Sequence, residues 1–361
     1  MRKLEIIQQV HIKVFIFFVY FILFVCLSMN IVKKVWLLMP VLLFSVAVQA
    51  QDADVAGLIK QGVQLNNQHD YAGAIEKYKL ALTVEPDNAQ ANYQLAFSLN
   101  ASGKGTEGIP YLNKVIKANS NFTGPAYELL GGIYDSSHQP QQAIDAYKEG
   151  LKIKPDYQPL YFNLGIAYFR AKKYTEAEQA AIEAIRLDPK HANSQRLYGL
   201  VTFHQNKRAA ALMGLCSFLL LEPDGPRSDE AYTNMQSILK GGTLKTEDAK
   251  AEPSTIALNR TLNAAIARAK PGSTAVELLE NQLQAVFEAV GQLTEKQTGN
   301  DFFGHYYAGF FYQLSKTDNM AAFARLMGLS GNKEANKLWL QQNEDKRKAL
   351  DAWVIGAERK F

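Results

Sequence analysis

Cysteine is almost missing from this chain of 361 residues: it has two, Cys26 and Cys216. Cys26 lies in an N-terminal leader, so the rest of the chain keeps one thiol and no internal disulfide can staple it. Cys216 then reads as a small buried core residue rather than a reactive thiol. Histidine is equally sparse. His11, His69, His138, His191, His204 and His305 are scattered, and no nucleophilic triad or metal-ligand set can be assembled from them. Asp301 and His305 stand one helical turn apart, but with no third ligand nearby they read as a structural pair. Gly103-Lys104-Gly105-Thr106 has Ser98 where a phosphate loop needs its first glycine, and Gly105 where a hydroxyl residue should follow the lysine. It reads as a turn. The chain therefore offers no catalytic residue, no metal site and no cofactor site, which points away from an enzyme.

An excess of one charge is lacking as well. The formal net charge is +4, from 39 basic and 35 acidic residues. Arg2, Lys3, Lys13, Lys33 and Lys34 against Glu5 belong to the leader, which leaves 34 of each sign in the remainder. A neutral body without a basic stripe points away from a nucleic-acid partner.

What is present begins with two apolar runs. Val14 to Leu27 precedes Ser28-Met29-Asn30. Val35 to Val48 follows Lys33-Lys34 and ends Val48-Gln49-Ala50. The second has a basic head, an apolar middle of secretory length and small residues at the cleavage positions. It predicts a signal peptide over 29–50, cleaved after Ala50, with residues 1–28 as an upstream extension. The expected location is secreted or periplasmic. A competing reading takes Val14 to Val32, about 19 residues and near the lower limit for a bilayer, as one tilted transmembrane helix that anchors the protein. Any membrane contact is expected only through this leader. Cys26 follows Leu23-Phe24-Val25, without the small residue a lipoprotein site needs.

The length suggests two or three domains once the leader is removed. Apolar residues at 47% suffice to fill their cores. Tyr161 to Pro189 reads as two amphipathic helices around a polar turn at Ala171-Lys172-Lys173. Tyr161, Leu164, Gly165 and Tyr168 share one helix face. Ala177, Ala181, Ala184 and Ile185 line the other helix, where small residues let the axes approach. One such hairpin cannot bury both faces, and it recurs: Pro155, Pro189 and Pro223 are each 34 apart, and Pro86 lies 69 before Pro155.

At these residues the chain resembles the tetratricopeptide repeat family, whose signature runs aromatic, Leu-Gly, Tyr, then Ala, aromatic and Pro. One copy has Tyr127, Leu130-Gly131, Tyr134, Ala143, Tyr147 and Pro155. The next has Tyr161, Leu164-Gly165, Tyr168, Ala177 and Pro189, with Ala181 in place of an aromatic. The first is looser, with Leu58, Gly62, Leu65, Ala74, Tyr78, Ala81 and Pro86. The second keeps Leu95-Ala96 and Leu99, but Gly108 replaces the alanine and Ser120 the proline. The fifth has Tyr198-Gly199, Ala211 and Pro223, with Thr202 where tyrosine is usual. The resemblance implies an all-α fold, an α-solenoid of five repeats over 53–223.

A helix from Asp229 to Lys240, capped by Ser228, then closes the array over 224–241. A polar linker over 242–253 leads to a helical C-terminal domain, 254–361, that resembles no family. Its expected helices are Thr255 to Ala269, a run from a Thr274–Glu277 capping box to Gln297, an aromatic core helix Asp301 to Ser315, and Asp318 to Leu329. Asn332 to Gln342 and Asp345 to Lys360 complete it, burying Leu338, Trp339, Leu350 and Trp353.

In the family, the first helix of each repeat lines a concave groove. Carried over, that stripe is Ile59, Val63 and Asn66; Tyr93, Phe97 and Asn100; Glu128, Gly132 and Asp135; Phe162, Ile166 and Phe169; and Arg196, Leu200 and Phe203. Tyr93, Phe97, Phe162, Ile166, Phe169, Arg196, Leu200 and Phe203 are the candidate partner-binding residues. Val63, Gln94, Glu128 and Gly132 stand where some members clamp a partner's terminal carboxylate, so that clamp is absent. Two readings of the groove stay open: a site for a protein or peptide ligand, or a surface filled by the chain's own C-terminal helices or used up in packing between repeats. The expected function is a scaffold or adaptor without catalysis. The alternatives are an unrecognised enzyme in the C-terminal domain, served by the repeats, and a membrane-tethered envelope assembly factor.

Overall fold

The computed structural model describes residues 19, 54–241, 252–296, 302–357 and 359. The fold is all-α, with no strand among the described residues. The two leader runs apart from Val19, the cleavage point, most of the expected linker and Asp301 lie outside those residues. No described helix is long and apolar enough to cross a membrane.

The chain divides into two compact units, one ending at Pro86 and one starting at Asp87. The first contains a hairpin of α1 (Val55–Asn67) and α2 (Tyr71–Val84). Asp70 starts α2 by accepting the Gly73 N–H at 2.9 Å. Gly62 is held to glycine because a Cβ there would overlap the ring of Tyr78. That ring is fully buried, its hydroxyl accepts from Asn66 Nδ2 at 3.1 Å, and burial pushes the phenol up to about 12.

The second unit begins with four more hairpins. They are α3 (Ala89–Ala101) with α4 (Gly105–Ala118), α5 (Thr123–Ser136) with α6 (Pro140–Ile153), α7 (Gln158–Arg170) with α8 (Tyr174–Leu187), and α9 (Ala192–His204) with α10 (Arg208–Leu221). Gly131 takes the ring of Tyr147 as Gly62 takes that of Tyr78. In the next hairpin, where Ala181 replaces the aromatic, Leu197 of the following hairpin fills the space over Gly165 instead. Ser120 in place of a closing proline leaves α4 to end on Asn119 in the left-handed region, φ 45°.

One turn closes every hairpin. His69, Gly103, His138, Lys172 and Asn206 have φ between 58° and 79°. The N–H after each bonds back five residues at 2.8–2.9 Å: Asp70 to Leu65, Lys104 to Leu99, Gln139 to Tyr134, Lys173 to Tyr168 and Lys207 to Thr202. This left-handed residue with its 6→1 bond satisfies a carbonyl that the helix end would orphan.

Helix α11 (Ser228–Leu239) follows. Ser228 does not cap it. Its hydroxyl accepts from the Gly225 N–H at 2.9 Å and donates to the Glu222 carbonyl at 2.6 Å, closing the loop before the helix. The C-terminal helices are α12 (Pro253–Arg268), α13 (Ala275–Glu295), a π-helix (Phe303–Ala308) running into α14 (Gly309–Ser315), α15 (Met320–Met327), a 3₁₀ turn (Gly328–Ser330), α16 (Lys333–Gln342) and α17 (Glu344–Gly356).

The capping residue of α13 is Thr274, as expected. Glu277, however, reaches the Ser273 N–H at 2.9 Å, one residue before the usual partner. The aromatic core helix is not a single α-helix, because its first half is wound as a π-helix. That winding brings both Tyr306 and Tyr307 onto Gln195 of α9: Gln195 Nε2 donates to Tyr306 at 2.8 Å, and Tyr307 donates to Gln195 Oε1. Leu338, expected inside, is 54% exposed, whereas Leu350 is buried. The hydrophobic core of α8, α9 and α10 continues without a break into that of α11 to α17.

Candidate functional site

Six of the eight candidate residues come together. Phe162, Ile166 and Phe169 of α7 and Arg196, Leu200 and Phe203 of α9 line one cavity of about 670 Å³, which α11 and its lead-in close with Arg227, Glu230 and Asn234. Steps of three and four residues keep each trio on one helix face. Tyr93 and Phe97 belong to α3 and do not line it. Tyr93 is half-buried against Phe122, ring centroids 5.4 Å apart, and Phe97 is 41% exposed.

The rings are built in from beneath. Phe162, Ile166, Phe169 and Phe203 rest on the continuous core and turn their other sides to the cavity. Phe162 meets the edge of His191 at 4.9 Å. Phe169 meets His204 at 5.1 Å, and His204 stacks on Tyr174 at 5.4 Å. His191 Nδ1 is 3.0 Å from Gln158 Nε2 and 2.8 Å from Ser194 Oγ. Burial lowers its pKa against the opposing pull of Asp188, so the ring is neutral at pH 7.

Charges on this face join successive first helices. Glu128 of α5 accepts from Tyr157 Oη at 2.8 Å and from Asn163 Nδ2 at 3.4 Å. Asp135 of α5 pairs with Arg170 of α7, and Arg196 of α9 with Glu230 of α11. Arg196 Nε is nevertheless buried without a hydrogen-bond partner. Arg227 donates to the neutral amide oxygen of Asn193, and among the described residues no carboxylate pairs with it.

Among the described residues, none after Asn234 lines the cavity. The C-terminal helices pack against α10, and they meet α9 at Gln195 and Tyr198, residues outside the cavity lining. Among the described residues, the reading in which those helices fill the groove is not what this cavity shows. Arg227, Glu230 and Asn234 were not among the expected residues. They fall 34 after Asn193, Arg196 and Leu200, so carrying the period one step further would have found them.

Elsewhere a smaller cavity of about 250 Å³ is lined by Glu178, Tyr198, Lys207, Asn259 and Phe303, with Glu178 and Lys207 paired at 2.5 Å. Phe287, Phe311 and Phe323 pack together inside the C-terminal helices at 4.6–6.0 Å. Among the described residues no three His, Cys, Asp or Glu side chains gather as a metal site. Cys216 is fully buried, 3.8 Å from Met235 Sδ, and burial raises its thiol pKa.

The profile for tetratricopeptide repeats matches residues 136–201. Human tetratricopeptide repeat protein 6 is 23% identical over 148 residues, covering 41% of this chain and 28% of the relative. The probable UDP-N-acetylglucosamine–peptide N-acetylglucosaminyltransferase SPINDLY of Hordeum vulgare is 26% identical over 151 residues, 39% of this chain and 16% of that protein. The match thus spans less than a third of either relative. Among solved structures, Pseudomonas aeruginosa pilF aligns with a TM-score of 0.46 and 15% identity, covering 52% of this chain and 83% of that one. YrrB, described as a TPR protein with an unusual peptide-binding site, aligns with a TM-score of 0.40 and 20% identity, covering 50% and 93%.

Proposed function

We propose, on the premise of the tetratricopeptide repeat match over residues 136–201, that this chain is a binding scaffold without catalysis, taking a protein or peptide segment between α7, α9 and α11. One observation carries the reading: three half-buried phenylalanines face a cavity that none of the described C-terminal helices lines. Rings fixed from below lose little entropy when a partner covers them, which is how aromatic anchors contribute most at interfaces. The scaffold acts outside the cytoplasm, a reading supported by the leader's basic head, apolar middle and Val48-Gln49-Ala50.

The test replaces Phe162, Phe169 and Phe203 with alanine and compares polypeptides captured from an envelope fraction by the parent and the variant. The variant loses them while its circular dichroism is unchanged. Equal capture removes the groove from the mechanism. N-terminal sequencing of the processed protein is expected to start at Gln51. A chain that retains Val14 to Val32 replaces export with a membrane tether.

A further inference from the structure

We infer that the segment this groove accepts is apolar on one side and carries a side-chain carboxylate on the other, received by Arg227. The inference rests on the groove reading above. The cavity has two unlike walls. One is the phenylalanine face of α7, Phe162 and Phe169 with Ile166 between them, which rewards the burial of an apolar side chain. The other is at the start of α11, where Arg227 is exposed and its contact is the neutral amide of Asn193.

The other two guanidinium groups that line the cavity are already paired with carboxylates: Arg170 with Asp135, and Arg196 with Glu230. Arg227 is therefore the lining guanidinium without a carboxylate, and it leaves the wall one positive charge in excess. An arriving carboxylate gains a charge-assisted, two-pronged bond by displacing only the Asn193 amide, which is the weaker contact. A single unclaimed guanidinium beside an aromatic wall suits one carboxylate. A phosphate dianion calls for several such groups.

The same geometry disfavours a basic segment, which would bring like charges together on the α11 side. It also predicts salt sensitivity, because Arg227 is solvent-exposed and its attraction is screened over roughly 10 Å at 0.1 M salt.

The test uses amphipathic peptides with one leucine–phenylalanine stripe and a single varied residue beside it, amidated at the C-terminus and labelled for fluorescence anisotropy. The varied residue is aspartate, asparagine or lysine. A fourth peptide keeps asparagine but ends in a free carboxylate. The aspartate peptide is expected to bind about tenfold more tightly than the asparagine one, the step a single charge-assisted contact supplies. The lysine peptide binds most weakly. The difference disappears in Arg227→Gln, an exposed position whose change leaves the fold intact, and it shrinks with added salt. Equal binding of all peptides overturns the acidic preference and leaves the groove reading standing, as does a preference that survives Arg227→Gln. A gain seen only with the free C-terminus overturns the side-chain assignment. If no peptide binds, the groove reading falls and this inference falls with it.

Discussion

Helices α8 and α10 occupy the same place in consecutive hairpins, each 14 residues long, yet five residues are buried in α8 and twelve in α10. The backbone is not the cause, since both start after the same left-handed turn and the same 6→1 bond. The cause is the outer face. Glu178, Gln179 and Glu183 of α8 become Leu212, Met213 and Ser217 of α10, one period later. A helix apolar on one stripe needs one neighbour, and a helix apolar all round needs to be enclosed. The C-terminal helices do the enclosing, so the fifth hairpin belongs equally to the array and to the C-terminal core.

The most direct way to break this comparison is to exchange the faces. Met213→Gln gives α10 the residue of α8 and buries an amide without partners, for an expected loss of about 3 kcal/mol. The reverse change, Gln179→Met on the exposed side of α8, stays within about 0.5 kcal/mol. Chemical denaturation measures both, and equal effects would dissolve the distinction.

Arg208 sharpens it. Its guanidinium is buried at the start of α10 and bonds Asn263 Oδ1 of α12 at 2.5 Å and the Ile238 carbonyl of α11. Its backbone N–H bonds Asn259 Oδ1 at 3.1 Å. Arg208→Ala strips the half-buried Asn263 amide oxygen of this partner and leaves the Ile238 carbonyl only the 3.3 Å bond from the Gly241 N–H, and is expected to cost about 2 kcal/mol. In double-mutant cycles it couples to Asn263 and not to Glu178.

A smaller effect follows from His191. Its folded pKa lies below the ordinary value because burial disfavours the charged ring. As pH falls through the unfolded value near 6.5, the unfolded chain takes a proton that the folded chain refuses. This site's contribution to stability is therefore complete above that pH, declines below it, and stops changing beneath the folded pKa. Melting curves of His191→Gln are expected to lose that part of the acid slope. An unchanged slope means that the ring titrates as it does in the unfolded chain.

The smallest effect lies in the turns. Lys172 holds φ 58°, a conformation that costs a residue with a Cβ. Lys172→Gly is expected to gain roughly 0.5 kcal/mol, whereas the same change at Gly103 is not available because glycine already stands there.

The repeat array was legible because its constraints recur: prolines 34 apart, Gly131 opposite Tyr147, and apolar stripes at helical spacing. The groove followed from the same register, and its third wall was within reach of one more step of the period. The turn position was harder to see. Histidine, glycine, lysine and asparagine share no chemistry beyond being tolerated, so spacing alone marks His69, Gly103, His138, Lys172 and Asn206. The π-helix was not legible. It places two adjacent tyrosine hydroxyls on Gln195, more than a hundred positions away, one accepting from its amide and one donating to it, a contact that no local pattern announces. Leu338 likewise looked internal by pattern, but only the arrangement of helices decides which stripe of α16 meets the core.

The enclosure of α10 has a consequence for how this unit comes apart. Its amide hydrogens have no nearby fraying end or loosely covered face through which to reach solvent, so they should exchange only when the hairpins and the C-terminal helices open together. Cutting the chain after α11 would not trim away an accessory module. It would leave in water a helix made to be seen by none of it, and the shortened array would be expected to clump rather than stand alone.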